Sequence, residues 1–317
     1  MTTSHQASPE DEDPTGAEFA YPGDPEHGWL PIREIARLTG VNAVTLRAWE
    51  RRYGLIVPHR TPKGHRLYST EHVQRVQAIL TWLNRGVSVS QVKQLIDTQQ
   101  TPPAPPESDW DTLRQTLQQA IGELAERRVD EMFNQAMSLY PPRTLCEQLM
   151  LPLLASLEQR WQGQFGAQLE RVFFYSWLRS KLGARLYHNN RQLSGAPILL
   201  VNQSDLFLEP HLWLTAWLVS SADCPVEVFD WPLPVGELAL AAEYLKPRAV
   251  LLYSSKSLNV SQLPRLLNNL ACPIVLTGPT VRIHSAELSV SVTEVPGLTL
   301  AEDPLAAQLA LQRLGVI

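Results

Sequence analysis

Three cysteines occur in 317 residues, and Cys146, Cys224 and Cys272 lie far apart with no close cysteine or histidine beside any of them. That spacing excludes a disulfide framework and a zinc site, and it suits a reducing cytoplasm. No apolar run reaches the roughly 18 residues needed to cross a bilayer, and the start lacks a basic stretch followed by an apolar core. Neither a membrane span nor a signal peptide is therefore expected. Gly-x-Gly-x-x-Gly, Gly-x-x-x-x-Gly-Lys and His-Glu-x-x-His are missing as well, so no catalytic set is assigned and an enzyme is not expected. Positive charge is also short, with 27 Lys and Arg against 32 Asp and Glu, a net charge of -5. Taken alone, that balance argues against a nucleic-acid partner.

The charge is unevenly placed. Leu30 to Thr98 holds eleven Lys or Arg against four acids, a surplus of seven, which leaves a deficit of twelve over the rest of the chain. A basic module tied to an acidic body is the pattern of a protein that turns one domain toward DNA. Within that module Ile32 to Leu38 reads as a short amphipathic helix stopped at Gly40, and Asn42 as the cap of a second helix. Val44, Leu46 and Trp49 are expected to form the second helix's buried stripe, which leaves Arg47, Arg51 and Arg52 outward. A basic wing follows from Pro58 to Tyr68, with Arg60, Lys63, His65 and Arg66 around a Pro62-Lys-Gly64 turn. One helix in the major groove with a clamp on flanking phosphates needs this order of parts. Glu50 is expected to orient an arginine rather than to read a base, and His59 and His65 to be wing surface rather than metal ligands; no metal site is assigned. Further on, Ser88 to Gln91 reads as a capping box for a last short helix.

The rest divides by composition. Residues 1–27, acidic and rich in Pro and Gly, are expected to be a disordered tail, residues 28–98 the winged helix-turn-helix domain, and the four prolines of residues 99–108 a semi-extended linker. Residues 109–191 show apolar spacing of three and four, as in Leu145, Leu149, Leu153 and Leu157, and predict a four-helix bundle. From 195 to 317 short apolar runs alternate with helical ones, which predicts a flavodoxin-like or Rossmann-like α/β domain with a parallel sheet. Its crevice, at the strand ends, would lie near Asp205, Trp231, Ser254 and Gly278. Asp205, Glu209 and His211 read as a solvated polar loop.

Thr45-Leu-Arg-Ala-Trp-Glu-Arg-Arg-Tyr-Gly54, Pro58-x-Arg60 and Gly64-His-Arg-Leu-Tyr68 together resemble the MerR family over about 70 residues. The closest likeness in type is to the branch with a cobalamin-binding-like C-terminal domain, which holds light-responsive repressors and curli-type activators. The resemblance implies that Arg47 and Arg51 contact DNA, that Arg60 and Arg66 hold the wing to the backbone, and that His65 and Tyr68 support them. It also implies a homodimer on inverted repeats of promoter DNA, acting with RNA polymerase. In that branch a loop of Asp or Glu, x, His, x, x, Gly follows the first strand and its histidine ligates cobalt. Here the expected histidine position falls near Phe207 or Leu208, and no glycine follows His211 at the right place. The branch's Trp and Glu-His pair above the ring finds its nearest match in Trp161 with Glu170-Arg171. On these two departures no cofactor is expected and cobalamin is disfavoured. The sequence thus predicts a DNA-binding transcriptional regulator, cytoplasmic and nucleoid-associated when on DNA, whose body relays a protein or ligand signal. The alternatives are a repressor responsive to cobalamin or another small molecule, and a DNA-tethered hub for a signalling protein.

Overall fold

The computed structural model describes residues 29–98, 109–256 apart from 164 and 207, 263–267, 270–288, 295 and 297–317. The tail of residues 1–27 and the linker of residues 99–108 lie outside the described residues.

The basic module begins with β1 (Leu30–Pro31), α1 (Ile32–Thr39) and α2 (Ala43–Ala48), and α2 continues without a break into a π turn, Trp49–Tyr53. Gly40 takes the left-handed conformation that ends α1, at φ 69°, and the Asn42 side chain accepts from the Thr45 amide at 2.9 Å. The wing is a small antiparallel sheet in the order β1-β3-β2, with β2 (His59–Arg60) and β3 (Arg66–Tyr68) joined across the Gly64 turn. α3 (Thr70–Asn84) and α4 (Val89–Thr98) close the module. Two local expectations fail. Val44 is 58% exposed, and the buried positions of α2 are Thr45, Leu46 and Ala48 with Trp49 after them. Ser88 spends its hydroxyl on Ser90 at 2.9 Å, so the expected bond to the Gln91 amide comes from the Ser88 carbonyl instead.

Next come α5 (Asp109–Gly122), α6 (Glu126–Leu139), α7 (Pro142–Leu145), a π turn (Cys146–Met150), α8 (Leu151–Trp161) and α9 (Ala167–Asn190). α7, the π turn and α8 form one unbroken helical run. Its apolar residues recur every four positions, and in a regular helix that spacing drifts by about 40° per step, about 120° over three steps. The π turn takes up one extra residue and cancels most of the drift. Leu145, Leu149, Leu153 and Leu157 consequently all remain buried, each worth about 1.5–3 kcal/mol of transfer free energy.

The last part is a five-stranded parallel sheet in the order β5-β4-β6-β7-β8, made of β4 (Ile198–Asn202), β5 (Val226–Phe229), β6 (Ala249–Tyr253), β7 (Ile274–Thr277) and β8 (Leu298–Ala301). Between and after the strands lie α10 (Pro210–Ser220), α11 (Leu238–Leu245), α12 (Leu263–Leu267), α13 (Pro279–Ile283) and α14 (Pro304–Arg313). β4 and β6 are buried at every position, as a central strand covered on both faces must be. α10 is apolar nearly all round and sits between α9 and α14. One continuous core joins the basic module, the bundle and one face of the sheet, and a second core covers the other face. The strand order reverses at β4, which makes the C-terminal ends of β4 and β6 the topological switch point where ligands collect in such sheets.

Candidate nucleic-acid interface and ligand cavity

Arg47, Arg51 and Arg52 all stand exposed on the second helix. Arg60, Lys63 and His65 are exposed on the wing, while Arg66 is half-buried between wing and helix. Glu50 ties these two parts together. One of its carboxylate oxygens accepts from Arg60 Nη2 at 2.6 Å and the other from Arg66 Nε at 2.5 Å. Burial alone would raise the Glu50 pKa, but the hydrogen bonds and charges of Arg66 and Arg60 outweigh it and hold the carboxylate below its ordinary range. Tyr68 does not reach the surface. It lies under this cluster, and burial pushes its phenol up to about 12. Its hydroxyl has no hydrogen-bond partner among the described residues. Trp49, at the centre of the helix, is fully buried and points the other way.

A second feature sits where α8 and α9 face the ends of β4, β6 and β7: a cavity of about 710 Å³. The bundle lines it with Glu158, Trp161, Arg171 and Tyr175, and the sheet side with Glu209, His211, Tyr253 and Ser255. Of the crevice residues expected from the sequence, Gly278 lines the cavity, and Ser254 lies buried just behind it. A Cβ at Gly278 would meet the Ser254 carbonyl oxygen at 2.5 Å, so the close approach of the two strand ends requires glycine there. Asp205 is instead an exposed ion-pair partner of Lys256, and Trp231 is 65% exposed; neither lines the cavity.

Glu209 and His211 are not the solvated loop expected. Glu209 is buried and accepts from Ser255 Oγ at 2.5 Å; burial, opposed by the Ser255 and Ser204 hydroxyls, raises its pKa. Burial lowers the pKa of His211 and favours the neutral imidazole. That ring stacks on Tyr253 with centroids 6.4 Å apart and lines the cavity. On the opposite wall Trp161 Nε1 donates to Glu170 at 3.1 Å, and the Arg171 guanidinium lies 5.3 Å from the Tyr175 ring centroid. Among the described residues no group of three or more His, Cys, Asp or Glu could hold a metal ion, and no helix is long and apolar enough to cross a membrane.

Two family models match the chain. The MerR HTH family regulatory protein model covers residues 30–99, and the B12 binding domain model covers residues 113–186, which are the helices α5 to α9. The chain carries a MerR-type helix-turn-helix followed by a B12-binding-like body. The HTH-type transcriptional regulator MlrA of Escherichia coli (strain K12) is 28% identical over 237 residues, 74% of this chain and 92% of that protein. Two HTH-type transcriptional repressors of Myxococcus xanthus also match: CarA at 35% over 41% of this chain and 45% of its own, and CarH at 28% over 41% and 47%. The protein is accordingly a DNA-binding transcriptional regulator with a C-terminal signal-relay body, and its likeness to these regulators supports a non-enzymatic role.

The comparisons also correct the cofactor expectation. The match of residues 113–186 to the B12 binding domain, with the likeness to CarA and CarH, overturns the view that no cofactor is expected and that cobalamin is disfavoured. The physical reason lies in the β4–α10 connection. Counting residues placed the sought-after histidine near Phe207 or Leu208, yet the fold turns His211, two residues after Glu209, into the cavity from the first turn of α10.

Proposed function

We propose that the MerR-type module grips promoter DNA through Arg47, Arg51 and Arg52 on its second helix and through Arg60, Lys63, His65 and Arg66 on its wing, with Tyr68 supporting them from beneath. The observation that carries this reading is Glu50, which fixes both wing arginines relative to the helix that bears the exposed ones. On an inverted repeat two copies bind together, and RNA polymerase is the partner at the promoter.

The body, in this reading, is a small-molecule sensor whose ligand enters the cavity between bundle and sheet, with a corrinoid as the ligand class that the B12-binding match favours. A volume of about 710 Å³ lies within the range of small-molecule sites. The donor set fits a corrinoid on the sheet side, where the cavity-lining imidazole of His211, kept neutral by burial, would hold the metal. Bound there, such a group would supply a metal centre open to a nitrogen ligand from the protein. Arg171 faces the other side and, as a permanent cation, offers hydrogen-bond donors rather than a metal ligand. Glu209 and Ser255 furnish an acceptor and a hydroxyl at the cavity floor.

The test combines two readouts on the purified full chain. Hydroxocobalamin added to the wild type is expected to shift its visible absorption, with no such shift for His211→Ala. A gel shift on genome-selected duplexes, with and without the corrinoid, is expected to show specific binding that changes on addition. Unchanged spectra for the wild type would remove the corrinoid reading, and a retarded band indifferent to Arg47→Ala would remove the DNA reading.

A further inference from the structure

The helix that carries the outward arginines is itself fastened to the body. Trp49 Nε1 donates to the carbonyl oxygen of Leu139, the last residue of α6, at 2.7 Å inside the shared core. A second grip lies at the end of α3, where Asn84 accepts from Thr144 Oγ1 at 3.0 Å through its side chain and from Gln148 Nε2 at 3.1 Å through its backbone. Thr144 and Gln148 belong to the same helical run, 142–161, that ends in the cavity-lining Glu158 and Trp161. At about 1.5 Å per residue this run is a rod of about 30 Å. One end holds the basic module, and the other forms a wall of the cavity.

The docked pose has a cost for DNA. Recognition helices meet base edges with their N-terminal residues. Here Asn42 and Val44, at the start of α2, look across a cleft of about 280 Å³ at Met137, Arg185 and His188 of the body. A cleft of that size leaves no room beside the helix's first turn for the sugar-phosphate wall of a major groove about 12 Å wide.

The geometry points to an autoinhibitory latch: the Trp49–Leu139 and Asn84–Thr144–Gln148 contacts hold the basic module in a pose that shuts DNA out, and release of these contacts frees it to bind. This rests on the reading that the second helix and wing contact DNA. The latch differs from the DNA contacts themselves, because none of its residues needs to touch the duplex. It places the switch at the α6–α7 junction, between the cavity and the base-reading helix.

The test locks and unlocks the latch in the full chain. Asn84 and Thr144 are hydrogen-bonded across the latch, and Asn84→Cys with Thr144→Cys is joined there by mild oxidation or, failing that, by a short bis-maleimide, with closure counted by loss of free thiol. Binding is read by fluorescence anisotropy on a labelled genome-selected duplex, with the wild type under the same oxidant as the control for its own cysteines. The cross-linked protein is expected to bind at least tenfold more weakly than the wild type, and reduction of the disulfide to restore binding to wild-type strength or tighter. As an independent variant, Trp49→Phe keeps an aromatic in the core but removes the indole donor, and is expected to bind several-fold tighter. A cross-linked protein that binds like the wild type overturns the latch. So does a Trp49→Phe protein of unchanged circular dichroism that binds no tighter. Arg47→Ala serves as the third arm: equal binding by Arg47→Ala and wild type would refute the DNA reading, and the latch with it.

Discussion

Glu50 offers the sharpest test of the DNA-contacting surface, because two effects of removing it have opposite signs. Simple electrostatics says that a carboxylate among DNA-facing arginines weakens binding. At about 10 Å from a phosphate in water its repulsion is about 0.4 kcal/mol before salt screening, so its loss should strengthen binding by a factor of about two at most. The clamp argues the reverse. Glu50 is 13% exposed and holds Arg66, itself well covered, and Arg60, which is 51% exposed. Allowing about 1.5 kcal/mol for the covered charged pair and discounting the exposed one to about 0.5 gives about 2 kcal/mol holding the wing to the helix. Its loss would weaken specific binding by up to about 25-fold at about 1.4 kcal/mol per decade. Glu50→Gln is therefore expected to bind its duplex about tenfold more weakly despite the more positive surface. A salt titration of the anisotropy-measured affinity should also show a shallower slope, by about 0.9 for each phosphate contact the wing gives up. Tighter binding with an unchanged slope would refute the clamp.

Four further outcomes follow from the same geometry. Arg47→Ala is expected to lose about 1–3 kcal/mol of duplex affinity, seen by gel shift against a folded control. Leu157→Ala, at a fully buried position of the helical run, should cost about 2–5 kcal/mol in urea unfolding. Glu209 has a raised pKa in the folded chain, so its contribution to stability is complete below the ordinary value of 4.5 and is lost as pH rises through the folded value. Glu209→Gln should flatten that decline when Tm is followed from pH 4 to 9. Glu50 behaves oppositely: its folded pKa is depressed, so the stability it adds is present above 4.5 and disappears as pH falls through the folded value. A wild-type Tm profile that drops below pH 4.5 more steeply than that of Glu50→Gln is the expected signature.

Local chemistry was legible in the sequence wherever a single residue type carried it. Gly40 at a positive φ, Asn42 as a helix cap, the alternation of short strands and helices, and the outward arginines all follow from local rules. Val44 was misplaced because a stripe of period 3.6 cannot show that a helix's first turn looks into a cleft between domains. The cavity was less legible still. Its walls come from α8, α9, the segment after β4 and the ends of β6 and β7, which are brought together by parallel crossovers and leave no periodic trace. Glu209 and His211 looked solvated because polarity in a loop predicts exposure, whereas the bundle that covers the sheet's end buries Glu209 and half-buries His211.

The helical run from Pro142 to Trp161 carries a constraint on change. Thr144 and Gln148 must face α3 while Glu158 and Trp161 face the cavity, so the two ends are phased to each other. One residue added or removed in a regular stretch turns one end by about 100° relative to the other. The π turn at Cys146–Met150 already contains such an extra residue, which makes it the natural place to absorb a length change. A one-residue deletion there would turn the π turn into regular helix and keep Thr144 on Asn84, whereas the same deletion within Leu151–Trp161 would swing the two ends apart.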